Sequence, residues 1–175
     1  MNDYLSALDA VTDLLTRLRL AHAFVGGVAR AAWLGCPIGQ GAVDVVALLT
    51  PEQKSQVAMM ASHRGFRVDR DEVERTAGLD LVPLHFETAV GEIRVHVLVG
   101  SNALYGHMVR AASPAEVEGR TLPVVTREHL ALLLSFAEDE QSLQDRDELM
   151  RAPAFDREAF DRLATTIGAA GVVDR

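Results

Sequence analysis

Residues 43–49, VDVVALL, are apolar at every position except Asp44, and β-branched residues open the run. Thr50, Pro51 and Gln53 follow it as a hydroxyl cap, a first-turn proline and a capping-box glutamine, which predicts that a helix begins there. A short apolar run that ends at a helix start predicts a central strand of a sheet. Asp44, the one charged residue of this predicted strand, is therefore a candidate functional residue.

The remaining elements predict a mixed sheet with helices packed on it. Predicted helices cover residues 3–20, 28–34, 51–63, 103–112, 142–150 and 156–167, and another opens at residue 126. Predicted strands cover residues 21–25, 43–49 and 65–68, a segment within 116–125, and a hairpin of 79–87 and 92–99. Residues 69–78 read as a loop or a loose helical turn. Pro83 predicts that the first hairpin arm is an edge strand or has a bulge.

The predicted fold class is α/β (α+β), a mixed sheet flanked by helices with a helical C-terminal part. We expect residues 1–125 to form the α/β core, residues 126–168 to form the helical part packed on it, and residues 169–175 to be a frayed tail. A chain of 175 residues is long enough to bury a sizeable core without a covalent staple.

Composition excludes several classes of function. The net charge of −8 disfavours non-specific nucleic-acid binding, which depends on neutralising phosphates. Cys36 is the only cysteine, so a disulfide framework and a thiolate zinc cluster are excluded. The N-terminus lacks the order of a signal peptide, and no apolar run approaches the length of a membrane span. We expect a cytoplasmic protein without membrane contact.

Gly26 and Gly27 lie between a predicted buried strand and a predicted helix. Two glycines at such a junction allow backbone amides to approach a phosphate, and the helix N-terminus adds favourable positive charge. The alternative is a tight turn that requires a positive φ angle.

These features together resemble the nucleotidyltransferase-like family. The resemblance is carried by FVGGVARAAWLG at 24–35, AVDVVALL at 42–49, GEIRVHVLVG at 91–100, GRTLPVVTREHLALLLSFA at 119–137 and LQDRDEL at 143–149. The pattern spans about residues 10–150. The pattern is similar to that of the minimal members found in toxin–antitoxin and abortive-infection operons.

The resemblance implies a nucleotidyltransferase-like fold, a nucleoside triphosphate, and two Mg²⁺ ions held by an Asp-x-Asp pair and a third carboxylate on a neighbouring strand. Gly26 and Gly27 match the glycine motif as candidate cofactor-binding residues, and Asp44 matches the first carboxylate. The second carboxylate falls on Val46 and the third on His96. Other departures fall on Gln40 and Ala42, where an arginine and a threonine are usual, and near Ser135, where a helix lysine is usual. Mg²⁺ prefers oxygen ligands, so ordinary two-metal transfer is not expected.

A different metal site is a second interpretation of the hairpin. His85 and His96 lie on its two arms, and together with Asp44 they form a set of two imidazoles and one carboxylate that suits zinc or another transition metal. In this interpretation Asp44 and His96 are also the candidate catalytic residues. The alternative is a pair of partly buried histidines that only form hydrogen bonds.

The sequence leaves three functions open. The first is a divergent nucleotidyltransferase-fold protein that binds a nucleotide or another phosphate ligand with weak or no nucleotidyl transfer. The second is a non-catalytic interaction module whose partner is an operon-encoded protein of a toxin–antitoxin or defence system. The third is an active transferase with an altered metal site.

Overall fold

The predicted central strand lies in the middle of a seven-stranded sheet. The computed structural model describes residues 3–38, 41–76, 80–89 and 91–168. The strands are β1 (His22–Phe24), β2 (Val43–Ala47), β3 (Phe66–Arg67), β4 (Leu81–Thr88), β5 (Gly91–Val99), β6 (Ser113–Val117) and β7 (Arg120–Val124). Their order in the sheet is β3-β4-β5-β2-β1-β7-β6.

Eight helices surround this sheet in the described residues. They are α1 (Asp3–Arg17), α2 (Gly26–Leu34), α3 (Pro51–Ser62), α4 (Arg70–Arg75), α5 (Ala103–Ala111), α6 (Arg127–Leu134), α7 (Glu140–Arg151) and α8 (Arg157–Thr166). The predicted capping box of α3 is present, because the Thr50 hydroxyl and the Gln53 side chain each bind the other residue's backbone amide. None of these helices is both long and apolar enough to cross a membrane.

The sheet is mixed, as the sequence predicts. β2 runs parallel to β5 on one side and antiparallel to β1 on the other. Val45, Val46 and Val97 from these central strands are fully buried, and so are Leu8 and Leu15 on α1. The α/β fold class with flanking helices and a helical C-terminal part is therefore confirmed.

Pro83 lies in β4, which has strand neighbours on both sides and a regular register with β5. Within the described residues, β3 pairs only with His85 and Phe86. At Pro83, β4 pairs with β5 only and is an edge strand in the described residues, whereas from His85 it pairs with both β5 and β3. The Glu87 N–H group points away from β5 and donates to Gly65 O. Backbone N–H groups point alternately to the two sides of a strand, so residue 83 would direct its N–H group to the same side as Glu87. Proline has no N–H group, and at this position no donor is therefore missing from the pairing with β5.

The segment around β7 differs from expectation, because residues 113–124 form a complete hairpin and not one short strand. Glu118 and Gly119 connect the two strands with φ angles of 49° and 75°. Two consecutive positive φ angles match the right-handed twist of paired strands and make a tight two-residue connection. Strand β6 contains Ser113, Pro114 and Ala115, which are weak strand formers, so propensity does not reveal it.

Helix α2 begins two residues earlier than predicted, and residues 70–75 are helical rather than a loop. Helix α2 begins at Gly26, so both glycines belong to its first turn and not to a preceding loop. Residues 70–75 form the short helix α4, in agreement with the helical alternative for this segment. The division at residue 125 stays a prediction, and the tail at 169–175 lies outside the described residues.

Candidate functional site

Asp44 and His96 are direct neighbours across the parallel strands β2 and β5. The Nδ1–H group of His96 donates a hydrogen bond to Asp44 Oδ1 over 2.8 Å. Each side chain is about one third exposed, at 31% for Asp44 and 32% for His96. The two candidate catalytic residues therefore form a partly solvated pair at the centre of the sheet.

Gly26 lies directly against the same carboxylate. The Val25 amide, just before it, donates to Asp44 O over 3.0 Å, which fixes the start of α2 beside β2. A methyl group placed on Gly26 would lie 2.7 Å from Asp44 Oδ2, and the residue has a φ angle of +57°. Both space and conformation therefore require glycine at this position.

Gly27 has a different environment. A methyl group on Gly27 would meet only the Tyr4 hydroxyl, at 3.8 Å. The residue lines an open cavity of about 420 Å³ beside Asp44. The structure thus brings Gly26, Gly27, Asp44 and His96 together, and their roles in cofactor or metal binding stay predictions.

His85 does not join this group. Its Nε2 atom lies 2.6 Å from Glu72 Oε2 and its Nδ1 atom lies 2.9 Å from Glu92 Oε1. Both ring nitrogens are therefore occupied by carboxylates, one of them from α4. Across the described residues, no three His, Cys, Asp or Glu side chains are grouped so that they could hold a metal ion. The set of Asp44, His96 and His85 is not assembled.

Val46 occupies the position two residues after Asp44, where both side chains extend from the same face of a strand. It is fully buried, and Leu98 lies opposite it on β5. Hydrocarbon therefore replaces any second carboxylate along β2. Ser135 is buried directly after α6, where its hydroxyl donates to Ala131 O, and Gln40 lies outside the described residues.

Two magnesium ions do not fit this donor set. Asp44 is the carboxylate that lies against Gly26, and one of its oxygens already accepts a hydrogen bond from His96. Magnesium requires an octahedral shell of oxygen ligands, and the neighbouring positions supply Val46 and an imidazole. The residues therefore do not form the two-metal site that the family resemblance implies.

The cavity beside Asp44 also contains an ion pair that the sequence did not reveal. Arg30 Nε on α2 lies 2.8 Å from Asp145 Oδ2 on α7, and its guanidinium donates to Ser142 Oγ over 2.9 Å. Gln141 Nε2 donates to the other oxygen of Asp145 over 2.7 Å. Asp145 is buried, so this network holds α7 against α2 and forms one wall of the cavity.

Tyr4 forms another part of the wall. Its hydroxyl donates to Ala42 O over 3.3 Å. Burial, and to a smaller extent the negative charge of Asp44, raise the pKa of Tyr4 to about 12. Its hydroxyl is therefore a neutral donor at ordinary pH. Tyr4 lies 40 positions before Asp44 in the sequence, so only the packing of α1 on β2 brings the two together.

The start of α2 has no side-chain cap, and its first turn contains no acidic residue. Its first amides therefore lack the partner that Ser, Thr, Asp or Asn provides at most helix starts. Because Gly27 lines the cavity, this uncompensated helix end and Asp44 border the same space. The arrangement offers backbone N–H groups to an anion and one carboxylate to a cation or hydroxyl.

Comparisons with solved structures show the same fold. The chain is similar to a nucleotidyltransferase-like antigenic protein from Paracoccidioides brasiliensis, with a TM-score of 0.59 and 13% identity over 99% of this chain and 93% of that chain. It is also similar to the antibiotic-resistance factor ANT(2'')-Ia in solution, with a TM-score of 0.50 and 14% identity over 99% and 89% of the two chains. A crystal structure of ANT(2'')-Ia in complex with adenylyl-2''-tobramycin gives a TM-score of 0.50 and 16% identity over 95% and 90%.

No family model matches the sequence, and no curated protein matches it. At identities of 13–16% the structural similarity concerns the fold alone. The arrangement of the sheet, the glycine turn over Asp44 and these neighbours lead to one conclusion. This chain has the fold of nucleotidyltransferase-like proteins.

Proposed function

We propose that this chain is a divergent, cytoplasmic nucleotidyltransferase-fold protein that binds a nucleotide or another phosphate ligand and has weak or no nucleotidyl transfer. The observation that carries the proposal is the hydrogen bond between Asp44 and His96. It occupies the carboxylate that the family resemblance assigns to Mg²⁺, at a place where Val46 and His96 provide no further oxygen ligands.

The loss of metal ligands has a large expected effect on transfer. A metal ion stabilises the transition state of phosphoryl transfer by several kcal/mol, and each 1.36 kcal/mol changes a rate by a factor of about ten. A loss of about 4–6 kcal/mol corresponds to roughly 10³–10⁴-fold slower transfer. Any residual transfer should therefore be slow.

Phosphate binding is supported by the first turn of α2. Gly27 has room for a ligand above it, and the helix end carries no acidic side chain that would compete with an anion. Arg30 lines the same cavity one turn later, although its charge is balanced by Asp145. We therefore expect backbone amides, and not a salt bridge, to supply most of the affinity.

Thermal unfolding with ATP, CTP, GTP and UTP tests the proposal, each with and without Mg²⁺ or Mn²⁺. A stabilisation of 1 kcal/mol should raise the midpoint by about 2–4 °C in a domain of this size. Gly27→Glu adds a carboxylate where the phosphate would lie and should abolish the shift. Ser55→Glu, which adds the same charge on an exposed part of α3, should keep it.

The other two functions predict different results. An interaction module for an operon-encoded partner predicts no stabilisation by any nucleotide, and this outcome would overturn the binding proposal. An active transferase with an altered metal site predicts that labelled nucleotide is transferred to an RNA or protein acceptor at a rate that depends on Mn²⁺ or Mg²⁺ and is lost in Asp44→Ala. The proposal expects stabilisation without efficient labelling.

A further inference from the structure

A second cavity, of about 590 Å³, lies between α5, the start of α6 and α8. It shares no lining residue with the cavity beside Asp44. Leu104, Leu163 and Ile167 form its apolar walls, and His107, Arg110 and Arg162 bring polar and charged groups to it. A concave apolar space with a few converging polar groups is the usual form of a small-molecule site.

Two histidines connect this cavity to the protein interior. His107 Nδ1 lies 2.8 Å from His129 Nε2, so the two rings share a hydrogen bond. The second nitrogen of His129 lies 2.9 Å from the Thr126 hydroxyl, which also caps α6. Burial, and secondly the positive charge of His107, lower the pKa of His129 to about 4, so this ring is neutral at ordinary pH. His107 is thereby held in position at the cavity, and its Nε2 atom has no hydrogen-bond partner among the described residues.

Arg110 supplies positive charge one helical turn after His107. In the described part of the chain, no carboxylate lies within salt-bridge distance of its guanidinium. The guanidinium of Arg110 packs against Gly106 of the same helix. A methyl group added to Gly106 would lie 3.2 Å from Arg110 Nη1. Gly106 therefore leaves the room that this position of Arg110 needs.

The remaining charges face the cavity from the two other helices. Arg162 on α8 has only a long contact of 3.5 Å to Glu158, and both side chains are largely exposed. Glu128 on α6 is buried, and one of its oxygens accepts the Asp156 amide over 2.9 Å. Two guanidinium groups and one carboxylate thus leave the cavity with a net positive charge in a protein whose net charge is −8.

We propose that the cavity between α5, α6 and α8 binds a small organic monocarboxylate, with the carboxylate at Arg110 and His107 and the apolar body against Leu104, Leu163 and Ile167. A guanidinium can bind a carboxylate through two parallel hydrogen bonds, and apolar walls favour an aliphatic or aromatic body. Glu128 repels a second negative charge, which favours a monoanion over phosphate. This site is independent of the proposed nucleotide function.

Isothermal titration of the full chain with hexanoate tests the proposal, with hexanamide and inorganic phosphate as comparison ligands. We expect hexanoate to bind with a Kd of about 1 mM or tighter, and hexanamide to bind at least about tenfold more weakly, because the amide lacks the charge that strengthens hydrogen bonds to guanidinium. Arg110→Gln should weaken hexanoate binding about tenfold or more, as expected for loss of a charge-assisted hydrogen bond. Arg151→Gln removes the same charge from an exposed position on α7 and should leave binding unchanged.

Three results would overturn the proposal. They are the absence of hexanoate binding, equal binding of hexanamide, and equal weakening in Arg110→Gln and Arg151→Gln. In the first of these cases, binding of phosphate would show that the cavity prefers an inorganic anion to a monocarboxylate. In Arg110→Gln the nucleotide-dependent thermal shift should persist, so failure of one site is distinguishable from failure of the other. Unchanged thermal midpoints without ligand confirm that the variants fold.

Discussion

Asp44 and His96 lie opposite each other on parallel strands, and the imidazole of His96 donates a hydrogen bond to one carboxylate oxygen of Asp44 over 2.8 Å. The other carboxylate oxygen faces the backbone of Gly26. One oxygen of Asp44 is thus held by a hydrogen bond within the fold, and the other is confined on the side of Gly26. The pair has become part of the local structure, and its removal should affect stability as well as any chemistry.

The contact between Gly26 and Asp44 can be measured with two glycine substitutions. Gly26 begins α2 and Gly35 follows its end, with similar φ angles of +57° and +67°, but of the two only Gly26 has a neighbour in the space of an added methyl group. Both alanine substitutions should cost about 1–2 kcal/mol through the backbone. Gly26→Ala should cost about 1 kcal/mol more, because Asp44 must move and its hydrogen bond weakens.

Urea unfolding of Gly26→Ala and Gly35→Ala, each in the wild-type and Asp44→Ala backgrounds, measures the difference between their costs in free energy of unfolding. In Asp44→Ala the extra cost at Gly26 should largely disappear, since the carboxylate is gone. Equal costs of Gly26→Ala and Gly35→Ala in the wild-type background would contradict the close approach.

Replacement of Val46 tests whether added carboxylates at this place can hold a metal ion. Val46 is fully buried, so Val46→Asp should lower the free energy of unfolding by roughly 3–5 kcal/mol, as other unpaired buried charges do. Val46→Thr has nearly the same shape without the charge and should cost less. In the double variant Val46→Asp/His96→Asp, three carboxylates lie together and Mg²⁺ should offset part of this cost.

The measurement is thermal unfolding with and without Mg²⁺ for the wild type and each variant. We expect Mg²⁺ to raise the midpoint of the double variant and to leave the midpoint of the wild type nearly unchanged. A rise of the same size in the wild type would show that Asp44 binds the ion without further carboxylates.

His129 should make stability depend on pH. The pKa of His129 is about 4 in the folded chain, against 6.5 for an ordinary histidine, so the unfolded chain binds more protons between these values. Its contribution is therefore fully present above pH 6.5 and is lost as the pH falls towards 4. At about 1.36 kcal/mol for each unit of pKa, the loss is at most about 3 kcal/mol.

Urea unfolding at several pH values in this window should show a slope that His129→Gln reduces. His63→Gln removes an exposed histidine at the end of α3 and should leave the slope nearly unchanged. If His129→Gln keeps the full slope, the pH dependence arises from other groups.

Tyr4 reports on the charge of Asp44. The chain has two tyrosines, so in Tyr105→Phe the tyrosinate absorbance comes from Tyr4 only. In this background Asp44→Asn should lower the pKa of Tyr4 below about 12 but keep it above 10, because burial is the larger cause of the shift. Ultraviolet titration measures the pKa, and Asp147→Asn, which removes a half-exposed carboxylate of α7 outside the cavity lining, is the control.

The sequence predicted the centre of the site and not its surroundings. Gly26, Gly27 and Asp44 are recognisable because each stands at the end or in the middle of a strongly apolar segment. His85 was expected beside His96 since both are on the hairpin, but Glu72 lies on α4, a segment without apolar periodicity, and its carboxylate holds the ring. A partner of this kind depends on tertiary packing.

The same limit explains the two cavity networks. Arg30 meets Ser142 across 112 positions of sequence, and α2 gives no indication of which later helix it contacts. His107 and His129 lie 22 positions apart on helices that were predicted independently. Periodicity identifies the helices and their apolar faces, whereas the polar partners are decided by how the helices cross.

Pro83 has a consequence for the behaviour of the protein at high concentration. Within the described residues, β3 pairs with only two residues of β4, and a strand margin without a partner can template pairing with another molecule. Pro83 removes a hydrogen-bond donor from that margin and its ring obstructs an incoming strand. One imino acid thereby helps to keep a seven-stranded sheet from growing into an aggregate.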